Sequence, residues 1–227
     1  MFMKMNPTAL GAALMLFAGS VNANAGLVTY TDFSSWNAAT ASYMTVTIPN
    51  PSSVSGFDSF AGNSVSYSGV TFSSDTTKYN GGFFNVGPVF SGQPAVIAAQ
   101  QLDFDLVNIL ITFAGPVTAF SLDFGTFGSY DVTFLLSNGD TFTKSTASGV
   151  YETKNFIGAT DSTPFTFVLL TSADESLFLK NVKFGTAVAA VPEASTWAML
   201  LFGFAGVAFV GYRRARQSTA IVVASAN

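Results

Sequence analysis

The chain contains few residue types that can do chemistry. It has no histidine and no cysteine among its 227 residues, which excludes Ser-His-Asp and Cys-His nucleophilic machinery and the usual zinc sites. Carboxylates, hydroxyls and lysines are the groups that remain, and the sequence contains no phosphate-binding loop and no dinucleotide fingerprint. We therefore predict that the protein is not an enzyme and that it needs no cofactor, with calcium as the one candidate ion.

Asp103 and Asp105 are the carboxylates whose spacing is most informative. Two residues apart on a strand, they would share one face at a separation of about 7 Å, with Phe104 and Leu106 on the other face. We favour a solvated strand face for this pair. Two alternatives are a calcium site, because hard cations prefer oxygen ligands, and the carboxyl pair of a glycan hydrolase, whose acids stand about 5–9.5 Å apart.

The other carboxylates and the aromatic residues are weaker candidates. Asp123, Asp131 and the pair Asp174-Glu175 lie in or beside loops, and we predict that they are solvated rather than ligands. Aromatic residues that could stack on sugar rings if they were exposed are Trp36, Tyr67, Tyr79, Tyr130 and Tyr151. Alternation with polar neighbours predicts that most of these rings lie in the core, and Trp36 fits a helix that packs on a sheet.

The elements that must position these residues are short strands. Alternating, β-branched or aromatic runs recur at intervals of about 8–12 residues between Gly, Pro and Ser signals. The predicted strands are 27–31, 43–48, 64–72, 83–86, 102–106, 108–113, 117–124, 130–136, 141–143, 150–156, 164–170 and 177–184. Asp32 or Ser34 can cap one short helix through Trp36. The pattern predicts an all-β, antiparallel sandwich or jelly roll with one short N-terminal helix.

Two turns carry specific expectations. Asn138-Gly139 predicts a hairpin with a type I′ turn, because both residues tolerate a positive φ angle. Gly69, inside the run 64–72, predicts a β-bulge where the strand changes face.

Charge excludes one class of function. The segment 26–190 contains 5 lysines, no arginine and 12 acidic residues, so its formal charge is near −7. Nucleic-acid binding depends on clustered Lys and Arg, and we predict that this segment does not bind nucleic acid. Because it has no cysteine, its stability must come from burial rather than from disulfides.

The beginning of the chain carries a targeting signal. Lys4 precedes the apolar run 9–18, and the small residues Ala23-Asn24-Ala25 follow it. This order is typical of a secretory signal peptide. We predict that residues 1–25 are removed by signal peptidase after Ala25, which leaves a single extracytoplasmic domain at 26–190.

The end of the chain carries a second signal. Residues 197–212 contain no charge, and as a helix they would cover about 24 Å, somewhat less than the ~30 Å hydrocarbon core of a bilayer. We predict a transmembrane helix here. Arg213, Arg214 and Arg216 follow it and would form the cytoplasmic membrane stop, which leaves the preceding domain outside the cytoplasm.

The segment 191–227 resembles the PEP-CTERM sorting signal of exopolysaccharide-producing Gram-negative bacteria. The resemblance lies in Val191-Pro192-Glu193, in Ser195-Thr196-Trp197, in the apolar run and in the arginine cluster; Ala194 stands where the family usually has a second proline, and residues 217–227 extend beyond the arginines. It implies recognition by an exosortase, a membrane protease that removes the tail, with Val191, Pro192 and Glu193 as the sorting motif. It also implies passage from the inner membrane to the cell surface.

The domain itself loosely resembles the β-sandwich cargo common among PEP-CTERM proteins. The matching stretches are Ile111-Thr112-Phe113, 116–124, 136–141 and 179–185. Together the two resemblances predict an exported surface or matrix protein associated with exopolysaccharide or biofilm, in which the sandwich binds or serves as structure. The alternatives are a carboxylate-dependent glycan hydrolase and a carbohydrate-binding module that stays anchored in the membrane.

Overall fold

A computed structural model describes residues 26–53, 56–75, 82–88, 95–100, 106–146, 152–189 and 199–213 of the chain. It contains twelve described strands, all paired in antiparallel fashion. The strands are β1 (Val28–Tyr30), β2 (Thr40–Thr45), β3 (Phe57–Ser59), β4 (Ser64–Tyr67), β5 (Val70–Ser73), β6 (Gly82–Val86), β7 (Val96–Gln100), β8 (Val107–Thr126), β9 (Asp131–Leu136), β10 (Thr141–Ser145), β11 (Asn155–Ser172) and β12 (Ser176–Ala187). The helices are α1 (Phe33–Ala38) and α2 (199–213), with a single 3-10 turn at Ala61–Asn63.

Helix α1 forms because its first turn is capped. Asp32 has an extended backbone, and its carboxylate accepts hydrogen bonds from the Ser35 N–H (2.9 Å) and the Ser34 hydroxyl (2.6 Å). The Ser35 N–H would otherwise lack a partner within the helix. They also lower the pKa of Asp32 to about 2. The predicted cap and the predicted short helix are both confirmed.

Two long strands connect two layers of the sheet. In the first layer the first part of β8 and the last part of β11 lie at the centre, in the order β4-β5-β8-β11-β9-β10. In the second layer the order is β1-β11-β8-β12-β7-β6-β3, and β2 pairs with the last part of β12. Each of β8 and β11 therefore belongs to both layers.

The sheet changes direction where the β8 and β11 ladder is interrupted. Their register shifts between Thr160 and Phe165 and again between Phe165 and Phe167. Pro116 and Pro164 lie in this region and are exposed. Proline cannot donate to a ladder and is tolerated at such irregularities. The interruption lets one pair of strands contribute to both layers.

Phenylalanine fills the space between the layers. Phe124 of the second layer meets Phe134 of the first edge to face at 5.2 Å, and Phe120 lies 5.8 Å from Phe165. Phe134 stacks on Phe142 at 4.8 Å. These rings belong to one continuous cluster of buried side chains. The antiparallel, all-β part of the fold prediction is confirmed, and two layers around one core are consistent with the expected sandwich.

Some strand predictions are wrong. Residues 108–113 and 117–124 form one strand, β8, and the predicted strand 164–170 and the end of 150–156 lie in one strand, β11. Residues 64–72 form a hairpin rather than a bulged strand, because Ser68 and Gly69 both have positive φ angles, 51° and 77°. Of the hairpin residues Asn138 and Gly139, Gly139 alone has a positive φ, so that turn is not type I′.

Candidate binding surface

The outward face of the second layer has a floor of small residues. The small residues are Gly158 of β11, Ala119 and Ser121 of β8, and Gly185 of β12. Gly158 pairs with Ser121 and Gly185 pairs with Ala119, while Lys183 of β12 lies on the other side of Ser121. Small side chains at the middle of a sheet face leave room for a large group to pack on it. That room is filled from α1.

Trp36 is the side chain that fills it. The ring is fully buried, and its Nε1–H donates to the Ala159 carbonyl at 3.3 Å. A Cβ added to Gly158 would lie 2.5 Å from Trp36 Cδ1, so only glycine fits beneath the ring. Trp36 therefore fixes α1 on the second layer, as its apolar character predicted.

Two aromatic rings, Phe33 and Tyr43, contact Trp36 and reach solvent, and a third, Phe156, contacts Phe33. Phe33 is 40% exposed and Tyr43 39% exposed, and Phe156 is partly exposed. Phe33 lies 6.0 Å from Trp36, 6.2 Å from Tyr43 and 6.3 Å from Phe156, and Tyr43 lies 5.2 Å from Trp36. Phe33, Tyr43 and Phe156 are called the aromatic surface below. Trp36 holds it in place from beneath.

Polar groups border the aromatic surface on one side. The Lys183 Nζ lies 5.1 Å from the centre of the Phe33 ring and donates to the Asn181 carbonyl at 3.3 Å. The Asn181 side-chain amide donates to Asp123 at 2.6 Å, and Asp123 pairs with Phe156 on one side and Lys180 on the other. Burial lowers the pKa of Lys183, and the nearby Asp123 carboxylate opposes that shift.

A β-bulge places these polar groups. The register of β12 on β8 shifts between Lys180 and Lys183, and Asn181 has a φ of 52°. Asparagine tolerates this left-handed conformation better than most residues. In a regular strand, side chains three positions apart point to opposite faces. The extra residue of the bulge restores the same face, so Lys180 and Lys183 both point outward. Rings with an ammonium, an amide and a carboxylate at their edge can bind a ligand with apolar faces and polar rims.

The predicted carboxylates are scattered rather than gathered. Asp103 and Asp105 lie outside the described residues, so the candidate calcium site there stays a prediction. Asp131 is exposed and accepts from the Ser145 hydroxyl at 2.6 Å. Asp123 borders the aromatic surface. Among the parts of the chain described here, no group of three or more acidic residues could hold a metal ion.

The interpretation of Asp174 as a solvated loop residue is wrong. Its side chain is 5% exposed. The carboxylate accepts from the backbone N–H of Phe127 at 2.6 Å, Gly128 at 3.2 Å and Glu175 at 2.7 Å. Asp174 therefore has a structural role, which is to satisfy the loop that follows β8.

A second carboxyl pair, Asp140 and Asp161, was not predicted from the sequence. Asp161 is 2% exposed and accepts from the Asn138 side-chain amide and the Thr163 N–H, both at 2.8 Å. A hydrogen bond between the two carboxyls raises the pKa of Asp140. The pair ties the β9-β10 hairpin to the bend of β11.

The aromatic candidates divide between core and surface. Tyr67 packs partly buried against the main core, and Tyr130 is 43% exposed beside the loop that follows β8. Tyr79 and Tyr151 lie outside the described residues. Phe33, Tyr43 and Phe156 were not predicted as site residues. The spacing of Phe33 and Trp36, three apart on one helix, was the available signal, because such residues share a helix face.

Little of the two predicted targeting segments, the signal peptide and the sorting segment, lies within the described residues. The signal peptide 1–25, the motif Val191-Pro192-Glu193 and the arginines 214 and 216 fall outside them. The described part of helix α2, residues 199–213, has every side chain exposed. Within the described ranges, no helix combines the length and the hydropathy needed to cross a bilayer.

Comparison with known proteins gives distant structural likenesses. No family model matches the chain, and no curated protein matches it. Among solved structures, a mutant of the family 29 carbohydrate binding module CBM29-2 is 14% identical, with a TM-score of 0.36, over 67% of this chain and 99% of its own. CBM29_1 from Piromyces equi is 11% identical, with a TM-score of 0.36, over 66% of this chain and 95% of its own. Likeness at this level does not establish a shared ligand.

Proposed function

We propose that this protein is a non-enzymatic, exported surface or matrix protein of a Gram-negative bacterium whose β-sandwich binds a glycan through the aromatic surface. The observation that carries the binding role is the group formed by the exposed rings Phe33 and Tyr43 and the partly exposed ring Phe156 beside the buried Trp36. Clustered apolar groups at a protein surface with a polar border mark interaction sites.

The chemistry of the aromatic surface suits a sugar. A pyranose ring has apolar C–H faces and a rim of hydroxyls, so it can stack on an aromatic ring while its hydroxyls bond to neighbouring polar groups. Asp123, Asn181 and Lys183 supply an acceptor and donors beside the rings. Because Trp36 and the cap at Asp32 fix α1, the rings are ordered before a ligand arrives, which reduces the entropic cost of binding.

The hydrolase alternative is not favoured by any observed geometry. It depends on Asp103 and Asp105, which lie outside the described residues. In the carboxyl pair that is described, Asp140 and Asp161, the Asp161 carboxylate accepts hydrogen bonds from the Asn138 side-chain amide and the Thr163 backbone N–H. Glycoside hydrolysis needs two carboxyl groups that flank a bound sugar, and Asp161 does not fit that role because it is buried and hydrogen-bonded within the fold.

A glycan titration tests the binding role. The full chain is titrated calorimetrically with a panel of soluble oligosaccharides and polysaccharides, beside Tyr43→Ala and Tyr130→Ala. Tyr130 is the matched control, because it is exposed to nearly the same extent, 43% against 39%, but lies outside the aromatic surface. Loss of one stacking ring contributes about 0.5–1.5 kcal/mol, so Tyr43→Ala should weaken binding about threefold to tenfold while Tyr130→Ala leaves it unchanged. No binding by the parent chain would refute the proposal.

For delivery, we propose that residues 1–25 direct export. Helix α2 and the arginines Arg213, Arg214 and Arg216 then hold the chain in the inner membrane. An exosortase finally cuts the segment 191–227 at Val191-Pro192-Glu193. Cell fractionation with and without 191–227 tests this. A full-length chain that stays in the cytoplasm in both cases would refute export. The intact mass of the surface form separates a processed protein from a permanently anchored one, because an anchored form retains the arginines.

A further inference from the structure

An apolar row crosses the outer face of the first layer. Side chains alternate along a strand, and Val168 and Leu170 of β11 belong to the core, so Leu169 points outward. Strand pairing places Leu169 beside Leu110 of β8 on one side and Leu135 of β9 on the other. All three leucines are partly exposed. Leu110, Leu169 and Leu135 are called the leucine row below.

Uncharged side chains, most of them hydroxyls, flank the leucine row on both sides. The strand registers place one flanking row at Ser66, Thr71, Thr112 and Phe167, and the other at Asn108, Thr171, Thr133 and Thr143. Hydroxyls on neighbouring strands lie within hydrogen-bond distance of each other, at 2.8 Å for Ser66 and Thr71 and 3.4 Å for Thr133 and Thr143. The middle of this face is therefore partly polar but carries no charge.

Charged groups lie at the rim of this face or behind it. Asp131 begins β9, and Asp75 follows β5, where it accepts a hydrogen bond from the Asn108 side-chain amide. Lys144 of β10 alternates to the opposite face. The segment 26–190 contains 12 acidic residues and 5 lysines, so two copies repel each other unless their contact avoids the carboxylates. Among the described residues, the middle of this face meets that condition.

We propose that the outer face of the first layer binds a second copy of this chain. The three rows are compatible with two-fold symmetry. An axis that runs along the leucine row, between the two copies, would lay leucines on leucines and bring each flanking row opposite the other one. The partly exposed leucines would then be removed from water, with the two sheets stacked about 10 Å apart.

The size of the face sets the strength of this contact. Six strands about 4.8 Å apart and about five residues long cover a flat area of roughly 480 Å² on each copy. A standard interface buries about 800 Å² on each partner. We therefore expect a weak dimer, with a dissociation constant in the micromolar range.

The dimer would carry two aromatic surfaces. The aromatic surface lies on the outer face of the second layer, on the opposite side of the sandwich from the leucine row. Contact between two first layers leaves both aromatic surfaces exposed and directed away from each other. Under the proposed glycan-binding function, one dimer would hold two stretches of polymer and gain avidity. The dimer itself does not depend on that function.

Sedimentation equilibrium over a range of protein concentrations tests the proposal. The full chain is studied in a mild detergent, which covers the exposed apolar side chains of α2 in the parent and in every variant alike. Leu169→Glu and Leu169→Lys each place a charge in the middle of the face. Met44→Glu is the control, because Met44 is 59% exposed but lies on β2 in the second layer. Thermal unfolding of each variant confirms that it is folded.

The parent chain and Met44→Glu should form the same concentration-dependent dimer. Each Leu169 variant alone should associate at least about tenfold more weakly, because like charges face each other across the two-fold axis. An equimolar mixture of Leu169→Glu and Leu169→Lys should regain association, because opposite charges then meet.

Three results would overturn the proposal: a parent chain that stays monomeric, Leu169 variants that associate as the parent does, or a mixture that does not regain association. A monomeric parent chain whose glycan binding is lost in Leu169→Glu would assign the face to a polysaccharide and would also overturn it. The separate titration with Tyr43→Ala distinguishes failure of the dimer from failure of glycan binding at the aromatic surface.

Discussion

Substitution of Gly158 by alanine should destabilise the second layer specifically through Trp36. A Cβ at position 158 would meet Trp36 at 2.5 Å from Cδ1, 2.6 Å from Cγ and 2.9 Å from Cβ. All three distances are shorter than real Cβ contacts, and the ring cannot withdraw because it is fully buried and bonded to the Ala159 carbonyl. Overpacking of this kind costs about 1–3 kcal/mol. Trp36→Ala alone should cost about 3–5 kcal/mol.

A double-mutant cycle separates this contact from general effects on the strand. In the Trp36→Ala background the new Cβ enters vacated space, so Gly158→Ala should become neutral or stabilising by about 0.5–1 kcal/mol, because glycine is a poor strand residue. Urea unfolding followed by far-UV circular dichroism measures all four proteins. Gly115→Ala is the control, because a Cβ there meets nothing within 4 Å. A coupling energy below about 0.5 kcal/mol would refute the packing argument.

Two further substitutions test the buried Asp174 and the exposed Asp140, which lies beside the buried Asp161. Asp174→Ala removes the acceptor for the backbone amides at 127–128 and should lower the free energy of unfolding by about 2–3 kcal/mol. The control Glu175→Gln should change the free energy of unfolding by less than about 0.5 kcal/mol. Equal effects of the two substitutions would contradict the structural role of Asp174. Asp140 has a raised pKa because of its hydrogen bond to Asp161, so its contribution to stability is present below its unfolded pKa of about 3.9 and is lost as the pH rises through its folded pKa. Asp140→Asn should therefore melt higher than the parent protein at pH 7 and no higher at pH 3, and a pH-independent difference would contradict the shared proton.

The sequence around Asp32 was sufficient to predict helix α1 and its cap. The cap at Asp32 and the length of α1 follow from side chains within four positions of each other. The same local reasoning failed at Asn138, whose side-chain amide donates to Asp161 of a distant strand. The register pairs Leu135 with Thr141, so the loop is longer than the two residues of a type I′ turn, and Gly139 alone takes the left-handed conformation. Ser68-Gly69 adopts the positive φ angles instead.

The long strands and the aromatic surface depend on contacts that no local pattern contains. Pro116 lay between two predicted strands and Pro164 began another, but the chain leaves the ladder at these prolines and then rejoins it in the other layer. Alternation identifies the exposed face of a strand when one face is solvated. In the second layer α1 covers part of the outer face, so Phe33, Tyr43 and Phe156 meet only after the sheet has formed.

The central claim is that a glycan contacts the aromatic surface, and mapping the ligand by nuclear magnetic resonance tests it most directly. The isotopically labelled full chain is titrated with whichever polymer binds in calorimetry, and backbone amide and aromatic side-chain shifts are followed. We predict that the shifts cluster at Phe33, Tyr43, Phe156, Asn181 and Lys183. Shifts confined to the outer face of the first layer, or to the loop at Tyr130, would contradict the account.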